Sequence, residues 1–369
     1  MRKRRGAPDF LLLLTVLILL SIGLVMVFSA SAYFAGDPEG PFKDPFYFFK
    51  RQLFGALLGI VAMLIMMNYD YHNLKKWVGL MLVAAFAMLV AVLIPGIGTE
   101  VLGARRWIDL GFISFQPAEL VKLFIITFTA YGLVQKKEQI QNLGLMPFLL
   151  VTGAAALLIL LQPDLGTAAT LCGTIFIMLF AAGARGVHLA ALVGLGVAAV
   201  AAAIRFEPYR MQRFTAFLDP EADPTGAGWN ILNALMSLAS GGLLGMGLGQ
   251  GRHSKFLFLP ERHTDFIFAA IGEELGFIGG CLIILLFILL AWRGFRVAIT
   301  CPDTFGSLLA TGLVSGIVLQ AFINIGVVTG TLPVTGITLP FVSFGSTSLI
   351  FSLMSVGIIL NISRFSSRK

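Results

Sequence analysis

The sequence predicts an all-α polytopic membrane protein with ten transmembrane helices, and three observations support this fold class. The 369 residues are 57% hydrophobic and only 12% charged, whereas a soluble domain carries about 25% charged residues. Apolar runs of roughly 20 residues, the length that spans about 30 Å of hydrocarbon, recur from Phe10 to Ile362. A transmembrane β-barrel would instead show short segments of alternating polarity.

The ten predicted helices follow one another along the chain, and each is a mostly apolar run bounded by polar, Gly or Pro residues. They are predicted at residues 10–33, 52–69, 77–95, 117–134, 146–162, 167–184, 187–204, 266–292, 305–329 and 346–362. The first run follows a basic N-terminus and resembles a signal peptide. Because Phe10–Phe28 exceeds the usual apolar core of about 7–15 residues, we interpret it as an uncleaved span. Residues 1–369 are therefore predicted to form one integral membrane domain.

The distribution of Lys and Arg predicts the orientation of the chain. Cytoplasmic loops of membrane proteins are enriched in these residues, and most of the Lys and Arg fall inside if the N-terminus is cytoplasmic. Both termini are then cytoplasmic, and the long loop 205–265, between helices 7 and 8, is extracellular. The net charge of +7 follows from this asymmetry and does not indicate binding of nucleic acid.

Three predicted outer segments are rich in polar residues, namely 96–116, 205–265 and 330–345. A structureless loop as long as 205–265 is uncommon unless it is functional. Its interior, Trp229–Leu238, has helical spacing and is predicted to form an amphipathic helix at the interface. The following run, Gly241–Gly249, predicts a flexible turn that packs closely. Without a preceding strand it does not match a phosphate loop.

Several function classes find no support in the sequence. The three cysteines, Cys172, Cys281 and Cys301, do not form the pattern of a disulfide framework. The chain has no His-Glu-x-x-His, no Cys-x-x-Cys and no Ser-centred nucleophile elbow. Zinc proteolysis and serine hydrolysis are therefore not indicated.

Asp265 is the first candidate for a catalytic residue. It ends the charged stretch Leu259–Phe266, at the point where the long loop enters an apolar helix. A carboxylate there costs free energy unless it is paired, hydrated or used. Asp265 could cap the helix N-terminus or act as a general base, and the residues alone favour the cap. The nearby His263 could be a second acid or base, or a hydrogen-bonding surface residue.

Three further polar residues lie at the ends of predicted helices. Glu119 and Lys122 are three residues apart on one helix and can pair, and both are also candidates to contact the substrate. Asp164 follows a proline and precedes a helix, so it could cap that helix or contact a substrate. Both interpretations stay open for Asp164.

Glu273 and Glu274 lie deeper, about 12–14 Å below Asp265 along the same helix. A structural or hydration role is favoured for them over substrate contact, with Gln320 and Asn324 as hydrogen-bond partners. Glycines recur every four residues in this segment and allow a neighbouring helix to pack closely. They are Gly272, Gly276 and Gly280.

Basic residues of the outer segments suit a lipid-linked phosphate, because arginine binds phosphate oxygens in a bidentate manner. The candidates are Arg106, Arg210, Arg213, Arg252, Lys255 and Arg262. The alternative is salt bridges between these residues and the acids of the same loop. Trp107, His263 and Glu261 are candidates for supporting roles, as are Glu273 and Glu274.

An ordered set of motifs extends over nearly the whole chain. It comprises Arg106–Gly111, Gln116–Leu120, Gln162–Thr167, Ser240–Leu243, Leu259–Phe268, Gly272–Gly276, Asn324–Gly326, Leu332–Gly336 and Leu339–Phe341. Taken together, these motifs resemble the SEDS family (shape, elongation, division and sporulation), whose members include FtsW, RodA and SpoVE. The segment Gly247–Gln250 resembles the FtsW/SpoVE branch more than RodA.

The resemblance implies a ten-span peptidoglycan glycosyltransferase of the bacterial cytoplasmic membrane that polymerises lipid II at its outer face. It implies a class B penicillin-binding transpeptidase as partner, together with other divisome, elongasome or sporulation proteins. It also implies that Asp265 is the catalytic aspartate. No cofactor is certain, and a divalent cation (Mg²⁺ or Mn²⁺) stays open. A lipid II flippase and a non-enzymatic scaffold for the transpeptidase are the alternative functions.

The chain departs from the family pattern before its last helix. The family commonly has Ser-Tyr-Gly-Gly-Ser-Ser, whereas this chain has Ser343–Ser348, with Phe344, Ser346 and Thr347 as the differences. Contacts made by the missing tyrosine hydroxyl and glycine are therefore in doubt. Residue Thr335 is a lysine in some Gram-negative members of the division type.

The expected mechanism is a single displacement with inversion at the donor sugar. Asp265 would take the proton of the acceptor C4 hydroxyl, and cations would stabilise the leaving diphosphate. A retaining reaction would need a second close carboxylate as nucleophile, and Glu261 is the only local candidate. The residues expected to hold the diphosphate are Arg210, Arg213, Arg252, Lys255 and Arg262.

Overall fold

The computed structural model describes residues 6–101, 103–109, 111, 114–136, 143–226, 228–251 and 261–366. The structure is mainly helical. Its helices are α1 (Phe10–Ala35), α2 (Tyr47–Asn68), α3 (Leu74–Ala91), α4 (Pro117–Gln135), α5 (Met146–Leu160), α6 (Leu165–Ala181), α7 (Gly186–Phe206), α8 (Pro208–Leu218), α9 (Trp229–Ser240), α10 (Ile267–Thr300), α11 (Thr304–Val328) and α12 (Ser346–Ser363). A small antiparallel sheet of β1 (Thr99–Val101), β2 (Ala104–Asp109) and β3 (Ser114–Phe115) lies between α3 and α4.

Each of the ten predicted apolar segments is helical in the structure. Among the described residues, eight helices are long and apolar enough to cross a membrane, and α5 and α6 are shorter apolar helices. The 15 residues of α5 rise only about 23 Å. α5 stops before its predicted end because a turn at residues 161–164 separates it from α6, whereas α6 begins earlier than predicted, at Leu165, and ends earlier, at Ala181.

Aspartates begin several of these helices. The Asp9 carboxylate accepts a hydrogen bond from the N–H of Leu12 at 3.0 Å, at the start of α1. Asp303 does the same for Gly306 at 3.0 Å, at the start of α11. Each side chain satisfies a backbone N–H that has no partner inside the helix. Local sequence therefore fixes where these two helices begin.

The helices differ sharply in how much of their surface they bury. α12 packs along α2, where a Cβ on Gly55 would lie 2.8 Å from the Cβ of Ser346. Small residues allow such a close approach of two apolar helices. In contrast, α7 contacts mainly α6 and α8, and Leu189 is its one buried residue.

The predicted long outer loop is partly helical. It contains α8, a short 3₁₀ turn at Pro220–Ala222 and α9. The helix predicted at Trp229–Leu238 is confirmed, and it extends two residues further to Ser240.

A break at Gly276 divides α10 into two helical parts. Gly276 has φ 70° and ψ −171°, a conformation that is essentially restricted to glycine. The glycine-rich turn fills the break: the N–H of Phe277 donates to the Gly242 carbonyl at 2.9 Å, and the N–H of Gly247 donates to the Glu274 carbonyl at 3.0 Å. The prediction that Gly276 serves the packing of a neighbouring helix is thus wrong, because a loop occupies that place.

The break predicts that Gly276→Ala destabilises the protein. A Cβ there would collide with the Gly245 amide, and the backbone conformation alone costs an alanine about 1–3 kcal/mol. We expect a lower midpoint of thermal unfolding in detergent. Gly79→Ala is the matched control, because nothing lies within 4 Å of its Cβ position in α3. An unchanged unfolding midpoint for Gly276→Ala would contradict the break.

Candidate functional site

One cavity of about 870 Å³ collects most of the predicted site residues. Its wall is built from the β1–β2 hairpin, the start of α4, the α7–α8 junction, the loop before α10 and the loops on either side of residue 340. The charged or titratable side chains that line it are Arg51, Arg106, Asp109, Glu119, Glu207, Arg210, Arg213, Glu261, His263 and Asp265.

The loop that carries Asp265 is held through its backbone. Three consecutive carbonyl groups, at residues 263–265, all accept hydrogen bonds from the last third of the chain. The first accepts from the N–H of Phe344 at 2.8 Å, the second from the hydroxyl of Ser343 at 2.6 Å and the third from Asn324 Nδ2 at 2.8 Å. The carbonyls thus face protein, and the carboxylate of Asp265 faces the cavity.

The Asp265 side chain does not cap α10. The N-cap position belongs to Phe266, and no side chain makes a cap hydrogen bond there. Within the described ranges, no protein N–H or O–H donates to the Asp265 carboxylate. The N-cap interpretation is therefore wrong, and the cause is the path of the chain, which carries the carboxylate into the cavity before the helix begins.

The surroundings of Asp265 make it a stronger base than an ordinary aspartate. Burial raises the pKa of Asp265 to about 7, and the nearby Glu261 carboxylate adds to the increase. The guanidinium groups of Arg213 and Arg106 oppose the increase, and Asp164 adds a small one. A pKa near neutrality suits a general base. At pH 7 a large fraction of the carboxylate is then deprotonated, and it still binds a proton more tightly than an ordinary aspartate does.

Arg106 and Arg210 are both anchored on the end of α5. Arg106 Nε donates to the Gln162 carbonyl at 2.9 Å, and its terminal nitrogen donates to the Pro163 carbonyl. Arg210 donates to the Leu160 carbonyl at 3.3 Å and to a carbonyl of α7 at 3.2 Å. Since both line the cavity, two guanidinium groups reach it from one direction.

Arg213 completes this cationic group. Its guanidinium lies over the Tyr209 ring at 4.4 Å and donates to the Val334 carbonyl at 3.3 Å. In the part of the chain that the structure describes, no carboxylate lies within salt-bridge distance of Arg106, Arg210 or Arg213. The predicted alternative of loop-to-loop salt bridges is therefore not seen for these three residues.

Arg262 does not line the cavity. The prediction that it binds the diphosphate is therefore wrong. Arg262 is only 3% exposed, its Nε donates to the Ala30 carbonyl at 2.6 Å, and its guanidinium lies 5.9 Å from the centre of the Phe34 ring. Burial lowers the pKa of Arg262 to about 10. Arg252 and Lys255, the other two candidates of this segment, lie outside the described residues.

His263 lines the cavity inside an aromatic cluster. Its ring centre lies 4.3 Å from that of Phe48 and 5.6 Å from that of Phe344. Burial lowers the pKa of His263 to about 4, and the charge of Arg262 adds to the decrease. The imidazole is therefore neutral at pH 7. The phenylalanine that replaces the tyrosine of the family pattern is thus a packing residue for His263.

The predicted pair on α4 is confirmed, and Asp164 caps a helix. Lys122 Nζ lies 3.0 Å from the Glu119 carboxylate and 2.7 Å from Gln320 Oε1. Glu119 lines the cavity, whereas Lys122 lies behind it. The Asp164 carboxylate accepts hydrogen bonds from the N–H and the hydroxyl of Thr167, at 3.0 and 2.8 Å. Asp164 therefore orients α6 and is only 2% exposed.

Glu273 and Glu274 lie outside the cavity, and both are buried. The Glu274 carboxylate accepts hydrogen bonds from the Ser29 hydroxyl at 2.5 Å and from the Gly249 N–H at 3.0 Å. It thereby ties the glycine-rich turn to α1. The predicted role of Asn324 as their partner is wrong, because its amide Nδ2 bonds to backbone carbonyls beside the cavity.

Sequence reasoning missed two features of the cavity. Arg51 lines it from α2, whereas the predicted Trp107 lines it from β2. Gly336 lies so close to the base that a Cβ there would be 3.4 Å from Asp265 Oδ2. The Leu332–Gly336 motif was the one available signal for this wall, and only the fold shows what it faces.

The described side chains do not form a metal site without the substrate. The described residues contain no cluster of three or more His, Cys, Asp or Glu side chains that could hold a metal ion. Magnesium sites of enzymes usually combine one or two carboxylates with substrate phosphates and water. A divalent cation therefore stays a prediction.

Comparisons with known proteins agree along the full length of the chain. The FtsW/RodA/SpoVE model, described as "Cell cycle protein", matches residues 10–368. Stage V sporulation protein E of Bacillus subtilis is 48% identical, over 99% of this chain and 100% of that protein. A probable peptidoglycan glycosyltransferase FtsW of Geobacter sp. (strain M18) is 42% identical, over 98% of both chains.

Two solved structures share the fold. A chain from work on the coordination of polymerization and crosslinking by a peptidoglycan synthase complex is 31% identical, with a TM-score of 0.80 over 97% of this chain and 98% of that one. The rod shape determining protein RodA of Thermus thermophilus is 29% identical, with a TM-score of 0.71 over 98% and 99% of the two chains.

The raised pKa of Asp265 predicts how stability depends on pH. Because the folded state binds the proton more tightly than the unfolded state, stability should fall as pH rises from about 4 to about 7. Asp265→Asn removes this dependence, so its unfolding midpoint should exceed that of the unmodified protein at pH 8 and match it near pH 4. The exposed Asp219→Asn is the control. A difference that stays constant with pH would contradict the raised pKa.

Proposed function

The chain belongs to the FtsW/RodA/SpoVE family of cell cycle proteins, and on that basis we propose that it polymerises lipid II as a peptidoglycan glycosyltransferase. Curated relatives at 41–45% identity carry the name peptidoglycan glycosyltransferase. The observation that carries the proposal is one cavity that holds a basic carboxylate, Asp265, beside three arginines without a carboxylate partner among the described residues.

The chemistry proposed for Asp265 is general base catalysis. Asp265 takes the proton of the C4 hydroxyl of the acceptor N-acetylglucosamine. The C4 oxygen attacks C1 of the donor N-acetylmuramic acid, and the bond from C1 to the diphosphate breaks with its electron pair on the leaving oxygen. The α-linked donor gives a β-1,4 product, so the attack inverts C1. The proton on Asp265 then passes to water.

Arg106, Arg210 and Arg213 are the proposed ligands of the leaving diphosphate. Guanidinium groups bind phosphate oxygens in a fixed geometry, and charge stabilisation at the leaving group is most effective where donors are already in place. All three arginines are anchored on backbone carbonyls. They therefore keep their charge for the substrate.

A retaining mechanism is less favoured by the same residues. Its nucleophile would have to be an ionised carboxylate close to the acid, and the local candidate, Glu261, is exposed and bonds back to its own loop through the Thr264 hydroxyl at 2.8 Å. We route no step through Mg²⁺ or Mn²⁺, because the residues that the structure describes contain no cluster of three or more His, Cys, Asp or Glu side chains that could hold the ion without the substrate.

We further propose ten membrane spans, cytoplasmic termini and a cavity at the extracytoplasmic face. The asymmetry of Lys and Arg supports this orientation, and the ten apolar helices support the number. The proposed partner is a class B penicillin-binding transpeptidase, since one structural relative belongs to a complex of polymerization and crosslinking. Identity to SpoVE and FtsW relatives supports a role in division or sporulation.

The alternative functions find less support. A flippase would be expected to use the deep carboxylates, yet Glu274 is engaged by Ser29 and Gly249. A non-enzymatic scaffold would have no need of a basic carboxylate in a cavity that arginines also line. Movement of lipid II across vesicles without glycan synthesis is the result that would favour the flippase.

The decisive experiment is polymerisation of lipid II by the purified protein, with and without its transpeptidase. Asp265→Asn should lower the rate by about 10²–10⁴-fold, the usual contribution of a general base, while the protein still folds. Asp219→Asn, an exposed carboxylate away from the cavity, should keep full activity. Normal polymerisation by Asp265→Asn would refute the base assignment.

The pH profile offers a second test of the electrostatics. The rate should rise with pH to a plateau, with a midpoint near 7, because only deprotonated Asp265 accepts the proton. Arg213→Gln removes a charge that lowers the pKa of Asp265, so the midpoint should move to higher pH and the KM for lipid II should rise. Arg205→Gln, exposed at the end of α7, should change neither. A midpoint unaffected by Arg213→Gln would contradict the proposed contact.

A further inference from the structure

Asn324 joins the two loops that meet at the proposed base. It lies in the second half of α11 and is only 1% exposed. Its Nδ2 donates to the carbonyl of Asp265 at 2.8 Å and to the carbonyl of Ile337 at 2.7 Å. An amide nitrogen has two hydrogens, so both are used to hold the base and the cavity wall at a fixed separation.

The carbonyl of Asp265 has no second donor among the described residues. The N–H groups of Ala269 and Ala270, in the first turn of α10, both donate to the carbonyl of Phe266 and not to that of Asp265. Asn324 is therefore the one described group that restrains the backbone of residue 265 through its carbonyl. Losing it would leave a partly buried acceptor without a partner among the described residues and free the loop to move.

The wall that Asn324 holds is the wall beside the carboxylate. Gly336 precedes Ile337 and has φ 72°, and a Cβ at this position would lie 3.4 Å from Asp265 Oδ2, in van der Waals contact. One turn earlier on α11, Gln320 Nε2 donates to the Thr338 carbonyl at 3.0 Å. Two side chains of α11 therefore fix consecutive carbonyls of this wall, and Asn324 alone extends the restraint to Asp265.

We propose that Asn324 is a positioning residue for glycosyl transfer, which sets the place of the Asp265 carboxylate between the cavity wall and the arginines. Asn324 does not touch the substrate and acts through Asp265. The inference rests on the proposed function, since it assigns a part in that reaction. Misplacing a catalytic group by about 1 Å can cost about 10²-fold in rate.

The charged and titratable groups around Asp265 come from several elements, and their effects depend on its position. They are Arg106 on β2, Glu119 on α4, Asp164 before α6, Arg213 on α8, and Glu261 and His263 on its own loop. The carboxylate is already partly exposed to the cavity, and a loop released from Asn324 would move it away from these groups and into more water. The pH at which the carboxylate titrates would then fall towards the ordinary range for aspartate.

The test is Asn324→Ala, with Asn361→Ala as a matched control. Asn361 is also fully buried and makes two comparable bonds, to the Met67 carbonyl at 2.8 Å and from the Tyr71 N–H at 3.1 Å. It lies 15 residues beyond Ser346 on α12, about 22 Å from the cavity end of that helix. Both variants lose a buried amide, and only one loses it beside Asp265.

For Asn324→Ala we expect kcat per folded molecule to fall by about 10–10²-fold, with an unchanged KM and a pH–rate midpoint shifted below that of the unmodified protein. Asn361→Ala should lower thermal stability and leave kcat and the midpoint unchanged. A normal kcat and a normal midpoint for Asn324→Ala would overturn the inference. A loss of stability alone would show a purely structural residue and would also overturn it.

Ser343→Ala covers the case in which Asn324→Ala does not fold. It removes the hydroxyl that holds the neighbouring carbonyl of Thr264 and should shift the midpoint in the same direction. An unshifted midpoint in Ser343→Ala would then count against positioning through this loop.

A readout without substrate separates this inference from the proposed function. The pH dependence of the unfolding midpoint, taken as the difference between Asp265→Asn and its parent, reports the titration of Asp265. The pH at which this difference is half complete should be lower in the Asn324→Ala background. If no protein makes glycan but this shift is present, the proposed function fails and the positioning by Asn324 stands. If glycan is made and no shift occurs, the proposed function stands and the positioning by Asn324 fails.

Discussion

The site depends on how the Asp265 carboxylate is positioned. The backbone of its loop holds it in place, and no described residue donates a hydrogen bond to its oxygens. Carbonyls 263–265 are held by Phe344, Ser343 and Asn324, so the loop is fixed while the carboxylate receives no hydrogen bond from the described residues. Amide donors at the carboxylate would have lowered its pKa. Burial without them raises the pKa to about 7, which makes an aspartate usable as a base at neutral pH.

The arginines of the cavity are also held by backbone groups and not by groups of opposite charge. Carbonyl oxygens orient Arg106, Arg210 and Arg213 without cancelling their charge. In the proposed reaction these charges would stabilise the diphosphate as its leaving oxygen gains charge. The base on the adjacent loop would activate the acceptor hydroxyl.

The order of helices could be read from the sequence, but several details of their geometry could not. The lengths of the apolar runs predicted ten helices, and each is present. The exact ends of α5 and α6, and the break of α10 at Gly276, were not predicted. The break depends on the glycine-rich turn, whose amides take the carbonyls of Glu273 and Glu274. Periodicity within one helix contains no information about a loop 30 residues away.

The sequence by itself indicated the membrane class, the helices, the possible pairing of Glu119 with Lys122 and, through its family motifs, the choice of Asp265. These features depend on residues close together in the chain or on an ordered set of motifs. Only the tertiary structure decided that Arg213 faces the base while Arg262 bonds to Ala30, 232 positions earlier. Neighbouring arginines look alike in a sequence, and the direction of each side chain is set by contacts with distant segments.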